Sequence, residues 1–205
     1  MRNVCDVGIA GPTLETALSI LNYVRVVLVI SDSVMTHNKN HLKWLWLSLV
    51  VLVADQLSKS WAEHILGSGV VPVFSWFDFS LAHNTGAAFS FLSDAGGWQQ
   101  VFFFTLAIVV SIALVVFIGK LQANERHLAI AYSLIISGAL GNAIDRAIYQ
   151  YVIDFIHWFY KDWHYPHFNV ADIAIFIGAG LLISEALGIA FLNTSSDQAE
   201  SVNDQ

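Results

Sequence analysis

Long apolar runs separated by shorter polar connections predict four membrane-spanning helices in this chain. The runs cover residues 42–61, 98–118, 128–148 and 172–192. An α-helix needs about 20 mostly apolar residues to cross the hydrocarbon core of a bilayer, and each run provides that length. No internal repeat, low-complexity tract or second soluble domain interrupts the pattern. The predicted fold is therefore an all-α membrane protein built on a bundle of four transmembrane helices.

The connection 62–97 carries a different periodicity. Apolar side chains alternate with polar or small ones from Phe77 to Ala82, which is the period-two pattern of a half-buried strand. Val71 and Val73 flank Pro72, and a proline within such a run is typical of an edge strand. We therefore expect a small extracytoplasmic β-sheet beside the helix bundle.

Composition supports a membrane protein. Hydrophobic residues make up 56% of the chain and charged residues only 12%, whereas about a quarter of the residues in soluble domains are charged. The formal net charge of −7 argues against a nucleic-acid partner. Cys5 is the single cysteine, which excludes a disulfide framework, a thiolate metal site and a plausible cysteine nucleophile.

The positions of lysine and arginine predict the orientation. Lys120 and Arg126 flank the short loop between the second and third runs, Lys39 precedes the first run, and Lys43 lies at its start. The connection 62–97 has neither residue type, and the connection 149–170 contains only Lys161. Because positive charge concentrates in cytoplasmic loops, both termini are predicted to be cytoplasmic and the two long connections to lie outside.

The N-terminal residues 1–34 fit this plan poorly, because Arg25 interrupts a modest apolar run. The stretch MTHNKNHLKW beginning at Met35 is typical of a short basic leader, so we expect translation to start there. The predicted organisation is an N-terminal extension of uncertain status, a membrane domain over 35–192 and a polar cytoplasmic tail over 193–205.

Ionisable residues within apolar runs are costly and mark candidate functional sites. Asp55 and Lys59 are four residues apart with the acid first, which favours a helical ion pair. Such a pair either neutralises the helix for insertion or helps to hold a site. Asn142, Asp145 and Arg146 share one helical face, where a structural role and a chemical role are both open.

Two further acids are predicted at the outer rim of the bundle. Asn169 and Asp172 form the pattern of a capping box, which by itself need only start the fourth helix. Asp154 is predicted at the same level. Two carboxylates that meet there would share one proton and could activate water for attack on a peptide carbonyl. The helix N-terminus favours the charged form of Asp172, so we expect it to be the more acidic of the pair.

Five motifs in order carry a resemblance to a known family. They are DQLSK in the first run, NTGAAFSF after it, GNAIDR in the third run, VIDF, and FNVAD at the fourth run. Together they resemble the lipoprotein signal peptidase family, also called signal peptidase II, over residues 40–192. Gln150 departs from the family pattern, which commonly has glycine at this position, and the difference bears on the local turn.

The resemblance implies an aspartic endopeptidase of the bacterial inner membrane with its active site at the outer face. Such an enzyme removes the signal peptide from diacylglyceryl-modified prolipoproteins just before the lipidated cysteine. The family's catalytic aspartates fall on Asp154 and Asp172. Membrane lipid, a monomeric state and the absence of any metal or cofactor complete the expectation. The supporting or substrate-binding positions are Asp55, Lys59, Asn84, Gly86, Asn142, Asp145, Arg146 and Asn169.

Other functions remain open from the residues alone. A proton-coupled transporter also places paired acids and an arginine in a small bundle, although it favours repeated, broken helices. A metalloprotease would have to recruit His157, His164 and His167, whose spacing matches no zinc motif. A serine–lysine peptidase would pair Lys59 with Ser58 or Ser60, although adjacent helical residues point in different directions.

Overall fold

A computed structural model describes residues 41–67, 69–86 and 98–188. The expectations for the N-terminal extension, for a start at Met35 and for the tail lie outside these residues. The described chain contains four α-helices and one four-stranded antiparallel sheet. In chain order, the elements are α1 (Leu45–Ile65), β1 (Val70–Phe74), β2 (Phe77–Asn84), α2 (Trp98–Lys120), α3 (Arg126–Tyr149), β3 (Val152–Tyr160), β4 (Trp163–His164) and α4 (Val170–Ala186).

Each predicted apolar run contains an α-helix among the described residues, but not every helix has the length and composition of a membrane span. Among the described residues, α2 and α3 are long and apolar enough to cross a membrane. Helix α1 carries Asp55 and Lys59 within its length, and α4 has 17 residues. The fold is thus mostly helical with a small antiparallel sheet, and the expected count of four membrane spans is not confirmed.

Helix α3 lies at the centre of the bundle and packs against the other three helices. Against α2 it forms an apolar cluster that includes Leu114, Ile118 and Ile136. Against α4 it approaches much more closely. A Cβ added at Gly178 would lie 2.7 Å from the Ala131 carbonyl oxygen, so only glycine permits this separation. The close crossing fixes the start of α4 relative to α3.

The predicted sheet is present and reaches the functional region. Its strand order is β1-β2-β3-β4 with every pair antiparallel, and β1 is the exposed edge strand that Pro72 predicted. The predicted strand over 77–82 is confirmed and extends to Asn84. Strand β3 was not predicted, because its residues fall within the connection 149–170. It carries Asp154, which pairs with Ala82 of β2.

Gln150 ends α3 in the left-handed backbone region, at φ 66°. This conformation is uncommon for residues with a Cβ and is readily adopted by glycine. The departure at this position therefore falls on a helix C-cap where glycine is the favoured residue. The side chain of Gln150 compensates in part, because its Nε2 donates to the Arg146 carbonyl at 3.0 Å.

Candidate active site

Asp154 and Asp172 line the same cavity, which has a volume of about 650 Å³. Asp154 lies on β3 and is 2% exposed, and Asp172 lies in the first turn of α4, partly buried. Asn84, Asn142 and Arg146 also line this cavity. The fold thus brings two acids from separate elements, and three of the predicted supporting residues, to one cavity.

Asn169 contacts both acids. Its Oδ1 accepts from the Asp172 backbone N–H at 2.9 Å, and its own N–H donates to Asp172 Oδ2 at 3.2 Å. The predicted capping box is therefore confirmed. The same side chain also donates from Nδ2 to Asp154 Oδ1 at 2.7 Å. One fully buried residue consequently starts α4 and donates a hydrogen bond to each of the two carboxyl groups.

Asn84 fixes the second oxygen of Asp154. Its Nδ2 donates to Asp154 Oδ2 at 3.0 Å, and its Oδ1 accepts from the Gly86 backbone N–H at 3.0 Å. Because Gly86 occupies the amide oxygen, the NH2 group must turn toward the acid. The predicted pair Asn84 and Gly86 thus forms a turn whose side-chain contact reaches into the cavity.

Asn142 donates a hydrogen bond to Asp172, just as Asn84 does to Asp154. Its Nδ2 donates to Asp172 Oδ1 at 2.8 Å, and its Oδ1 accepts from Lys59 Nζ at 3.0 Å. The ammonium group is only a donor, so it determines which way the amide points. Asn169 adds a second, longer donation to the same oxygen at 3.2 Å. A lysine on α1 therefore orients the amide that faces the acid on α4.

Lys59 is almost completely buried between two further carboxylates. Its Nζ lies 2.9 Å from Asp55 Oδ2 and 2.9 Å from Asp145 Oδ2, which confirms the predicted Asp55–Lys59 pair. Asp55 also accepts from the Ala171 backbone N–H at 2.8 Å, and Asp145 accepts from the Ile153 N–H at 3.2 Å. The network ties α1 and α3 to the start of α4 and to β3, next to the two cavity acids.

Arg146 does not form an ion pair with a carboxylate among the described residues. Its Nη2 donates to the Gly86 carbonyl at 2.9 Å, and its Nη1 donates to the Asn142 carbonyl at 3.2 Å. Its guanidinium group lies 5.2 Å from the centre of the Phe103 ring. Asp145 pairs with Lys59 of α1 and not with Arg146. The charged guanidinium group of Arg146 instead lies at the cavity, and its bond to Gly86 holds the turn after β2.

The surroundings of Asp154 bring the pKa of its carboxyl group close to neutral pH. Burial raises its pKa to about 7, and the nearby charge of Asp172 acts in the same direction. The hydrogen bonds from Asn84 and Asn169, and the charge of Lys59, oppose this rise. At neutral pH, Asp154 therefore exists in both protonation states. The expectation that Asp172 is the more acidic member stays a prediction.

The histidines that a metalloprotease would use, and the lysine that a serine–lysine peptidase would use, have surroundings that do not suit those reactions. Within the described ranges, no group of three or more histidine, cysteine or acidic side chains is arranged to hold a metal ion. His157 lies between His164 and His167 with nearly parallel ring planes. Lys59 is held by two carboxylates and is not available as a base for a neighbouring serine.

Gln56 is a member of the network that the sequence analysis did not identify. Its Nε2 donates to Asp145 Oδ1 at 3.1 Å and to Asp55 Oδ2 at 3.2 Å. The residue lies inside the DQLSK motif, directly after Asp55. Its position in the motif was the sequence signal for a role in the site. Its contact with Asp145, 89 residues away, becomes apparent only in the folded structure.

Comparisons with known proteins identify the family. Residues 47–188 match the family model described as signal peptidase (SPase) II. A lipoprotein signal peptidase of Pseudoalteromonas translucida is 51% identical over 152 residues, covering 72% of this chain and 90% of the relative. One from Coxiella burnetii (strain Dugway 5J108-111) is 50% identical over 141 residues, covering 68% and 86%.

A solved structure adds agreement in three dimensions. A bacterial membrane enzyme determined by the in meso method at 2.3 Å resolution superposes with a TM-score of 0.63 at 31% identity. The match covers 75% of this chain and 92% of that enzyme. Because the family model spans most of the chain and the relatives match over nearly their whole length, the chain belongs to the signal peptidase II family.

Proposed function

We propose that this peptidase removes signal peptides from lipid-modified prolipoproteins by an aspartic mechanism in which Asp154 and Asp172 are the catalytic pair. The observation that carries the proposal is the contact of Asn169 with both acids at one cavity. Two carboxyl groups held by one residue are suited to sharing a proton and a water molecule. Nothing in the comparisons supports the transporter alternative, since the matching relatives are peptidases.

The mechanism follows from the two protonation states. The ionised carboxylate takes a proton from water as the water oxygen attacks the scissile carbonyl carbon. The protonated carboxyl group donates its proton to the carbonyl oxygen, which gives a neutral tetrahedral intermediate. On collapse, the C–N bond breaks, one carboxyl group protonates the leaving nitrogen, and the other carboxylate takes a hydroxyl proton as the carbonyl re-forms, which restores the singly protonated pair. A pKa of about 7 at Asp154 allows that residue to alternate between the two roles near neutrality.

The surrounding polar residues have distinct tasks in this scheme. Asn84, Asn142 and Asn169 aim N–H donors at the acids and so limit their rotation. Lys59 acts one contact further out, through Asn142. Arg146 is the cation available at the cavity, and it can bind a carbonyl of the substrate. No step of the proposed reaction uses a metal or a cofactor.

Membrane placement completes the proposal. We infer that all four helices cross the bilayer. Helix α1 contains charged residues and α4 is short, so packing against the other helices would hold both in the membrane. The site would then lie at the outer face, with both termini in the cytoplasm, as the distribution of lysine and arginine predicts. There the lipid of the substrate stays in the bilayer while water still reaches the scissile bond. The enzyme would act as a monomer, because the cavity is formed within one chain.

The test is neutralisation of each acid with little change of shape. Asp154→Asn and Asp172→Asn should each abolish conversion of lipid-modified precursor to mature lipoprotein while the protein still inserts. Precursor accumulation measured by gel mobility in cells is the readout. Asp162→Asn is the matched control, because Asp162 is an exposed acid in the turn between β3 and β4. Normal processing by either cavity variant removes that residue from the mechanism.

A further inference from the structure

A group of polar side chains on the sheet has no task in the proposed hydrolysis. We call it the histidine cluster, and its members are Asp78, Ser80, His157, His164 and His167. Asp78 of β2 and His157 of β3 are directly opposite each other in the ladder. Only His167 also lines the cavity that holds the two catalytic acids. The cluster therefore connects the sheet to the cavity wall.

The direction of the hydrogen bonds within the cluster can be worked out. As a carboxylate, Asp78 only accepts, so the Ser80 hydroxyl group at 2.8 Å must donate to it. That hydroxyl group has one proton. The Ser80 oxygen can therefore only accept from His167 Nε2, which lies 2.8 Å away. Asp78 consequently orients Ser80, and Ser80 in turn accepts the ring N–H of His167.

His157 supports the same ring from its face. Its Nδ1 lies 3.1 Å from Asp78 Oδ1, and its ring is stacked on that of His167 with 4.3 Å between centroids and 5° between planes. Burial and the neighbouring His157 lower the pKa of His167, which keeps the ring neutral. A neutral imidazole stacks without charge repulsion, so the hydrogen bond and the stack act together.

The backbone around His167 explains why its side chain matters. Tyr165 donates its N–H to the Trp158 carbonyl at 2.8 Å, and Phe168 donates to the Ile156 carbonyl at 3.1 Å. Both bonds attach the ends of the segment to β3. Between them, Pro166 has no N–H to donate. The middle of residues 165–168 is thus held through the His167 ring, and all four residues line the cavity.

We propose that Ser80, oriented by Asp78, is a positioning residue that holds His167 and thereby shapes the wall 165–168 for binding the substrate peptide. The proposal rests on the proposed function, since it assumes that the peptide occupies this cavity. The hydrogen bonds of Asn169 to the two acids do not involve the cluster. Loss of the Ser80–His167 contact should therefore weaken substrate binding and leave the chemical step nearly unchanged.

The experiment measures kcat and KM with a lipid-modified prolipoprotein in detergent micelles. Ser80→Ala and His167→Ala should each raise KM about three- to ten-fold, the range expected for one lost neutral hydrogen bond, with kcat within about two-fold. Ser80→Thr keeps the hydroxyl group and His167→Gln keeps an N–H donor, so both should retain a KM close to that of the parent. The double variant S80A/H167A should match His167→Ala, because His167→Ala already removes the contact with Ser80.

Ser184→Ala is the matched control, because the Ser184 hydroxyl group bonds only to the Leu181 carbonyl of its own helix. Unchanged KM in both alanine variants would overturn the proposal, as would a fall in kcat at constant KM or additive effects in the double variant. If Ser80→Ala does not give folded protein, the comparison of His167→Ala with His167→Gln decides the question alone. Failure of the proposed function is a separate result, because it requires Asp154→Asn to remain active.

Discussion

Three asparagines, Asn84, Asn142 and Asn169, turn their NH2 groups toward the two acids of the cavity. In each case another donor occupies the amide oxygen, so the orientation follows from the proton count. These donors stabilise a carboxylate, whereas burial destabilises it. At Asp154 burial outweighs the donors and raises the pKa to about 7, so removing a donor should raise the pKa further.

The first prediction concerns the alkaline limb of the pH profile. Because the pair needs one proton, kcat/KM should fall as the pH rises through the pKa of Asp154, about 7. The hydrogen bond from Asn84 lowers that pKa. Asn84→Ala should raise it and move the alkaline limb to higher pH, whatever the change in maximal rate. A pH series of initial rates checks this, with Ser184→Ala as the control, and a limb that stays in place or moves to lower pH contradicts it.

A second prediction concerns the buried charge of Lys59. Replacing it with methionine keeps most of the side-chain volume but leaves Asp55 and Asp145 buried without their shared cation. Breaking a buried ion pair in this way costs about 3–5 kcal/mol, so Lys59→Met should lower the unfolding temperature in detergent markedly. Lys120→Met, at an exposed position at the end of α2, should have little effect. Equal unfolding temperatures for the two variants would show that the network contributes no stability.

At the scale of elements, the crossing of α3 and α4 determines the site. Helix α4 carries Asp172 in its first turn, and two of its glycines differ sharply in their surroundings. A Cβ at Gly178 would lie 2.7 Å both from the Ala131 carbonyl oxygen and from Ile135 Cγ1. Nothing lies within 4 Å of a Cβ built at Gly180. Helix α4 therefore contains a glycine with no room for a methyl group, Gly178, and a glycine with room for one, Gly180, which serves as the control.

The third prediction uses this pair. Gly178→Ala should destabilise the fold by about 1–3 kcal/mol and reduce activity, because the helices must separate to admit the methyl group. Gly180→Ala should be neutral or slightly stabilising, since alanine favours a helix more than glycine does. Thermal unfolding and precursor cleavage measured on the same preparations test both expectations. A Gly178→Ala variant as stable as the Gly180→Ala variant would contradict the close packing described here.

Local patterns predicted some elements and missed others, for identifiable reasons. The capping box at Asn169, the pair of Asp55 with Lys59 and the alternation over 77–82 involve near neighbours, so the sequence contained their signals. Strand β3 was missed because its run VIDFIHWFY is apolar on both faces and shows little alternation. The contact of Asn169 with Asp154, and the histidine cluster, depend on strand register and helix packing. No local pattern specifies those.

At the scale of the molecule, a large share of the surface is apolar. Helix α2 is mostly exposed within this single chain, with residues such as Val101, Val109 and Ile112 more than half exposed. Such a surface requires lipid around it, in keeping with the low content of charged residues. The polar network and the cavity are formed by the other three helices and the sheet. One helix therefore serves mainly as a lipid-facing wall, while catalysis is proposed for the rest.

The fourth prediction tests the orientation of the whole molecule. In a Cys5→Ser background, Asn124→Cys places a thiol in the short loop between α2 and α3, and Asp162→Cys places one between β3 and β4. A membrane-impermeant thiol reagent applied to spheroplasts should label the second variant and not the first. Lysis should make both reactive. Labelling of Asn124→Cys in intact spheroplasts would reverse the proposed topology.

The double role of Asn169 also has a consequence for biosynthesis. A chain is synthesised from its N-terminus, so Asp154 is made before Asp172 and before Asn169, the residue that contacts both. Under the proposed mechanism, the nascent protein therefore lacks its second catalytic acid until α4 has been made. The proposed mechanism thus predicts that peptidase activity appears only after the last helix has been added.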